Sequence, residues 1–189
     1  MRLGILGGTF DPPHVGHLLA AVDAVEHLAL DRLVLVPAAV QPLKSEMVQT
    51  PAEHRLAMTR LLVDGDARFE VDSIEIERSG LSFSVDTLVV FAERYPTAER
   101  FFLVGADVLR TFDRWREPAR VLELATLVVL TREDGRDHVA IPAGARRLPT
   151  RRVDVSSTEI RARAGSGRSL RGFVPESVAA YIAAHGLYR

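Results

Sequence analysis

The 189-residue chain contains no cysteine, which excludes a disulfide scaffold, a thiol nucleophile and any zinc site built on thiolates. Lysine is nearly missing too. Lys44 is the sole one, and arginine supplies the rest of the 24 basic residues, set against 25 acidic ones for a formal charge of −1. With no lysine-rich stripe and a charge near zero, no nucleic-acid groove is expected. Long hydrophobic runs are absent: none approaches the roughly 20 apolar residues of a membrane span. The first apolar run, Leu3 to Leu6, meets Gly7 and Gly8 at once and is too short for the core of a secretion signal. The expectation is a cytoplasmic protein with neither membrane nor nucleic-acid partners; a homo-oligomer is compatible with the sequence.

What is present fits one globular domain over residues 1–189, since 47% of residues are hydrophobic and 26% charged. The charge is uneven. Residues 146–189 hold nine arginines against Asp154, Glu159 and Glu176, so the remainder of the chain is net acidic.

Short apolar runs alternate with helical periodicities, the pattern of a doubly wound, mostly parallel α/β sheet with helices on both faces and five or six strands. Strands are expected at Arg2–Leu6, Leu33–Val36, Phe69–Ile76, Phe101–Val104, Thr126–Leu130 and Val153–Val155. Helices are expected from Val15 to Ala29, from Pro51 to Val63 behind a capping box of Thr50 and Glu53, from Ser84 to Tyr95, from Pro118 to Leu124, from Ser156 or Ser157 to Ala164, and from Pro175 to His185. Residues 133–150, rich in Gly, Pro and charge, read as a surface excursion.

The densest chemical signal is Gly7-Gly8-Thr9-Phe10-Asp11-Pro12-Pro13-His14-Val15-Gly16-His17, between the first strand and the first helix. Glycines let backbone N–H groups approach a phosphate, and the helix that follows offers its positive end. His14 and His17, three apart on the first helical turn, place both imidazoles toward that anion site. A P-loop is excluded, because it needs Gly before its Lys and Leu43 precedes Lys44; the dinucleotide fingerprint lacks its third glycine. A zinc pair from His14 and His17 with Asp11 lacks a further ligand at any telling spacing. If a triphosphate binds here, two His donors and an Arg stabilise charge on its oxygens while a second substrate's phosphate attacks in line.

This segment resembles the G-G-x-F-D-P-x-H-x-G-H signature of the nucleotidyltransferase superfamily. Gly105-Ala106-Asp107, followed by Trp115, resembles the G-x-D…W element of bacterial nicotinate-nucleotide adenylyltransferases. Val155-Ser156-Ser157-Thr158-Glu159-Ile160-Arg161 is similar to the superfamily's I-S-S-T-x-I-R element, and the ending Gly186-Leu187-Tyr188-Arg189 to that family's C-terminus. The resemblance implies a Rossmann-like nucleotidyltransferase fold and the conversion of ATP and nicotinate mononucleotide to deamido-NAD and pyrophosphate. Mg²⁺ would arrive with ATP, with no tightly bound cofactor and no metal site on the protein.

By the same resemblance, His14, His17 and Arg161 serve the phosphates in the transfer. Gly7, Gly8, Thr9, Phe10, Gly105, Asp107, Ser156, Ser157 and Thr158 contact ATP. Lys44, Ser82, Phe83, Ser84, Trp115 and Arg116 contact the pyridine nucleotide, with Trp115 stacked on its ring. Residues 156–189 form a helical segment closing the ATP site. In the loop resembling the family's P-x-x-x-x-P-H-K, Leu43 stands where the pattern has His, and the stretch Arg132 to Val155 is short for the family. Two other readings stay open: pantetheine-phosphate adenylyltransferase, which shares the first signature, and a nucleotide-sensing module without turnover.

Overall fold

The computed structural model describes residues 1–42, 50–132 and 140–189. Its elements run β1 (Arg2–Gly8), α1 (Val15–His27), β2 (Arg32–Pro37), α2 (Ala52–Val63), β3 (Phe69–Val71), α3 (Ile74–Arg78), α4 (Ser84–Arg94), β4 (Glu99–Gly105), α5 (Ala106–Leu109), α6 (Pro118–Leu124), β5 (Thr126–Arg132), β6 (Arg146–Thr150), α7 (Ser157–Gly165) and α8 (Glu176–Ala184). Six strands pair in parallel in the order β3-β2-β1-β4-β5-β6. The order reverses between β1 and β4, so a crevice opens beyond the carboxyl ends of those two strands.

Period-two alternation sorts the strand residues between two cores. Leu3, Ile5, Val34, Val36, Phe102, Val104, Leu127 and Val129 face one way and pack with Val85, Leu88 and Phe91 of α4 and Val121 of α6. Leu6, Leu33, Leu35, Phe101, Leu103 and Val128 face the other way, against Ala21, Ala24 and Val25 of α1 and Leu62 of α2. A third cluster, Met58, Ile160, Val174, Val178 and Ile182, joins α2 to α7 and α8. Both sheet faces are thus covered by helices, which is the doubly wound α/β arrangement expected of the sequence.

Several expected boundaries are corrected. Residues 72–76 leave the third strand: Asp72 Oδ1 accepts from the Ile74 N–H and turns the chain into α3. Pro51 rather than Thr50 occupies the N-cap of α2, with no side-chain capping bond, because Thr50 spends its N–H on Asp11 Oδ2 and its carbonyl on Arg55. α1 ends at His27, two residues early, as Ala29 turns left-handed at φ 47°. The N-cap of α4, expected at Ser84, falls on Phe83.

The last strand is also misplaced by sequence patterning. Val153–Val155 forms no strand, and the edge belongs to Arg146–Thr150, paired with β5 from Val128↔Arg146 to Arg132↔Thr150. Its arginines and Pro149 disguise it, yet an edge position tolerates both. Of the expected surface excursion, residues 133–139 lie outside the described residues.

Candidate active site

The carboxyl ends of β1, β2, β4, β5 and β6 all contribute to one cavity of about 840 Å³, within the range of a nucleotide site. Gly7, Gly8, Thr9, Phe10, His14, His17, Gly105, Asp107, Ser156, Ser157, Thr158 and Arg161 all line it. A second cavity of about 190 Å³ adjoins it, lined by Ser82, Phe83, Ser84, Trp115 and Arg116. Ser82, Ser84, Asp107 and Trp115 belong to both. Every described candidate from the sequence therefore reaches one of two confluent spaces. Lys44 lies outside the described residues.

The signature loop is shaped by close packing. Phe10 sits at φ 51° and is 2% exposed, and a Cβ on Gly8 would come within 2.9 Å of its ring. Only glycine lets the backbone pass there. The Phe10 ring meets His17 edge-on at 5.1 Å between centroids.

His14 is not on the first helical turn, as its spacing from His17 led us to expect; it is the N-cap of α1. Its Nδ1 accepts from the Gly16 N–H at 3.2 Å, and His17 Nδ1 accepts from the His14 N–H at 3.2 Å. These reciprocal bonds form a capping box built from two imidazoles. Because each Nδ1 is an acceptor, the proton of each neutral ring is assigned to Nε2. The rings lie 3.8 Å apart. Burial lowers the His14 pKa to about 4, and burial together with the His14 charge lowers that of His17 to about 3. At neutral pH the cavity thus meets two uncharged N–H donors beside a helix N-terminus.

Another part of the wall is the start of α7. Ser156 caps it, its Oγ accepting from the Glu159 N–H at 3.2 Å, while Ser157 Oγ donates to Pro12 O at 2.8 Å. The Ser157 hydroxyl holds the loop and the helix together, and with the Glu159 N–H capped by Ser156 the amides of Ser157 and Thr158 are the ones left for an anion. Arg161 donates through Nη1 to Asp11 O at 2.7 Å and through Nη2 to Thr158 Oγ1 at 3.2 Å. Its charge is fixed at the cavity wall by the signature loop itself.

In the smaller cavity Trp115 packs against Phe112 (5.2 Å between centroids) and Phe102 (6.1 Å), so part of the ring is structural and part faces the space it lines. Arg116 lies 5.0 Å over the Phe83 ring and 3.5 Å from Asp86. A Cβ at Gly105 would come within 2.6 Å of Asp107 Oδ1, so a larger residue there would displace the Asp107 carboxylate.

Three supporting residues escape sequence reasoning, and a fourth, Asp11, enters it only as a zinc ligand. Asp11 is buried and accepts from Thr50 N–H and the Tyr188 hydroxyl. Burial, before any other influence, raises the Tyr188 pKa and keeps its hydroxyl a donor. Glu75 is buried at the cavity wall, accepts from Thr87 Oγ1 at 2.6 Å, and has its pKa raised by desolvation. Arg55, also fully buried, donates to three carbonyls. A buried Arg in a helical pattern carries no local signal, and Glu75 was hidden in a stretch that alternates like a strand. Only the family ending pointed toward Tyr188.

Among the described residues no three His, Asp or Glu side chains gather as metal ligands. Nor is any described helix long and apolar enough to cross a membrane.

Comparison with known proteins gives consistent matches. A family model described as cytidylyltransferase-like matches residues 5–163. A probable nicotinate-nucleotide adenylyltransferase of Gemmatimonas aurantiaca is 53% identical over 199 residues, covering 100% of this chain and 93% of the relative. One from Thermus thermophilus is 47% identical over 189 residues with both chains fully covered. Among solved structures, Plasmodium falciparum nicotinic acid mononucleotide adenylyltransferase complexed with NaAD superposes with a TM-score of 0.78 at 17% identity, over 99% of this chain and 97% of that one. This last likeness speaks to the fold.

Proposed function

Since the chain belongs to the cytidylyltransferase-like nucleotidyltransferases, and within them to the nicotinate-nucleotide adenylyltransferases, we propose that it joins ATP and nicotinate mononucleotide into deamido-NAD and pyrophosphate, a step of NAD biosynthesis. A 5′-phosphate oxygen of the mononucleotide attacks the α-phosphorus of ATP. The new P–O bond forms as the bond to pyrophosphate breaks, and no covalent enzyme intermediate is needed.

The observation that carries this reading is that two neutral imidazoles and Arg161 line one cavity that adjoins a second, aromatic-lined one. His14 and His17 donate from Nε2 to phosphate oxygens, His17 to those gaining charge in the transition state. Arg161 and the first amides of α7, with Ser156, Ser157 and Thr158 shaping that turn, receive the leaving pyrophosphate. Gly7, Gly8, Thr9 and Phe10 bring backbone against ATP, and Gly105 with Asp107 meets its ribose. Mg²⁺ enters as part of Mg·ATP. Residues 156–189 close the ATP site within one domain spanning 1–189, and the protein works in the cytoplasm.

The pyridine nucleotide takes the smaller cavity, its ring on the free face of Trp115 beside Phe83. The N-terminal amides of α4, starting at Ser84, and Arg116 receive its carboxylate. Ser82 supports that turn through its bond to the Ala39 N–H at 2.9 Å, and Lys44 pairs with the 5′-phosphate.

The test is pyrophosphate release from Mg·ATP with nicotinate mononucleotide, nicotinamide mononucleotide or phosphopantetheine as the sole second substrate. Turnover fastest with nicotinate mononucleotide is expected. Turnover with phosphopantetheine alone, or binding without turnover, overturns the reading.

A further inference from the structure

We propose that Arg55, which lines neither cavity, is a positioning residue for the adenylyl transfer: its guanidinium fixes the spacing between the loop that serves ATP and the loop that serves the second nucleotide. The inference rests on the reading of the site given above.

Arg55 is 1% exposed and heads the largest fully buried side chains among the described residues. Its Nη1 donates to Thr9 O at 2.7 Å, its Nη2 to Ala39 O at 2.9 Å and its Nε to Thr50 O at 2.8 Å. The three carbonyls belong to the signature loop after β1, the loop after β2 and the entry to α2. A planar guanidinium presents these donors in fixed directions, so satisfying all three sets the separation of the segments.

The connection continues beyond the guanidinium. The Ala39 N–H donates to Ser82 Oγ, and Ser82 lines both cavities. Thr9, on the other arm, lines the larger one. A single side chain therefore ties the wall of one cavity to the wall of the other. The carboxylate of Asp11, also buried, opposes the lowering of the Arg55 pKa by desolvation, and Thr59 Oγ1 donates to Arg55 O at 2.7 Å within the helix. Burying a charge is costly, and an apolar side chain would fill the same volume. What an apolar residue lacks is the three-way fork.

The experiment uses the full chain with Arg55→Lys and Arg55→Gln, each checked for folding by circular dichroism. Affinities for ATP and nicotinate mononucleotide are measured by calorimetry alongside the kinetics of pyrophosphate release. Expected are folded variants in which both affinities fall by about fivefold or more and kcat by about tenfold or more, as sub-ångström misplacement of reacting groups produces. His17→Ala should also cost less in the Arg55→Lys background than in wild type, the non-additivity of residues acting through one geometry.

Affinities and kcat within about twofold of wild type, loss confined to one nucleotide, or full additivity with His17→Ala would each overturn the proposal. So would failure of both variants to fold, which would make Arg55 a requirement of the whole domain. If wild type binds both nucleotides without turnover, the functional reading fails, and the affinities alone decide on Arg55.

Discussion

The hydroxyl of Tyr188 donates to Oδ1 of Asp11 at 2.7 Å, joining residues 177 positions apart. The acceptor is a buried carboxylate in the middle of the signature loop, and the backbone carbonyl of Asp11 in turn holds Arg161. Tyr188 is thereby tied to the signature loop although it does not line the cavity itself.

Tyr188→Phe removes one donor from a buried carboxylate and leaves the ring in place. Bonds to charged groups are worth about 1.5–3 kcal/mol, so the urea midpoint should fall with little change of slope. An unchanged midpoint would show that water replaces the hydroxyl at no cost.

His17→Ala deletes a pre-aimed donor and should lower kcat by on the order of 10²- to 10³-fold, the usual effect of losing one transition-state hydrogen bond. Steady-state kinetics at saturating ATP decide it. An unaltered kcat removes His17 from the chemistry.

Trp115→Ala should raise KM for nicotinate mononucleotide while ATP binding changes little, because the pyridine ring is the group proposed to stack on it. The ring also packs on Phe102 and Phe112. Trp115→Phe is therefore the companion variant, expected to recover stability before it recovers affinity. Equal weakening of both substrates in the two variants would mark a packing role alone.

Acid should destabilise the free protein through the paired histidines. Their folded pKa values, about 4 for His14 and about 3 for His17, lie below the ordinary value of 6.5, so the unfolded chain binds more protons between those limits. Their contribution is complete above pH 6.5 and is lost as pH falls toward 4 and then 3, by up to about 1.4 kcal/mol per pH unit for each ring. Denaturant melts of wild type and His14→Gln from pH 7 to pH 4.5 test this. A slope unchanged by the substitution would sink the assignment.

Much of this architecture is written locally. Strands β1, β2, β4 and β5 are apolar runs, and Pro118–Leu124 is delimited by its own proline and by the strand that follows. The signature loop announces its chemistry because eleven adjacent residues do the work. What stayed hidden depends on distant partners. Thr50 looks like a capping residue until Asp11 and Arg55 claim its backbone. Arg146–Thr150 looks like surface until β5 offers an edge, and Arg55 looks like one more solvated arginine until its three carbonyls arrive from separate loops.

The signature loop is bonded to Arg55, Ser157, Arg161 and Tyr188, which lie 46, 145, 150 and 177 positions away from their partners. Contacts of such long sequence separation must wait for chain closure, whose entropy has to be offset before they form. The sheet's pairing of β1 with β4 spans 97 positions, shorter than the contacts to Ser157, Arg161 and Tyr188, and is free to assemble before them. During refolding, secondary structure should therefore return ahead of ATP binding, and a chain interrupted before α7 would carry the paired histidines without the helix that braces their loop.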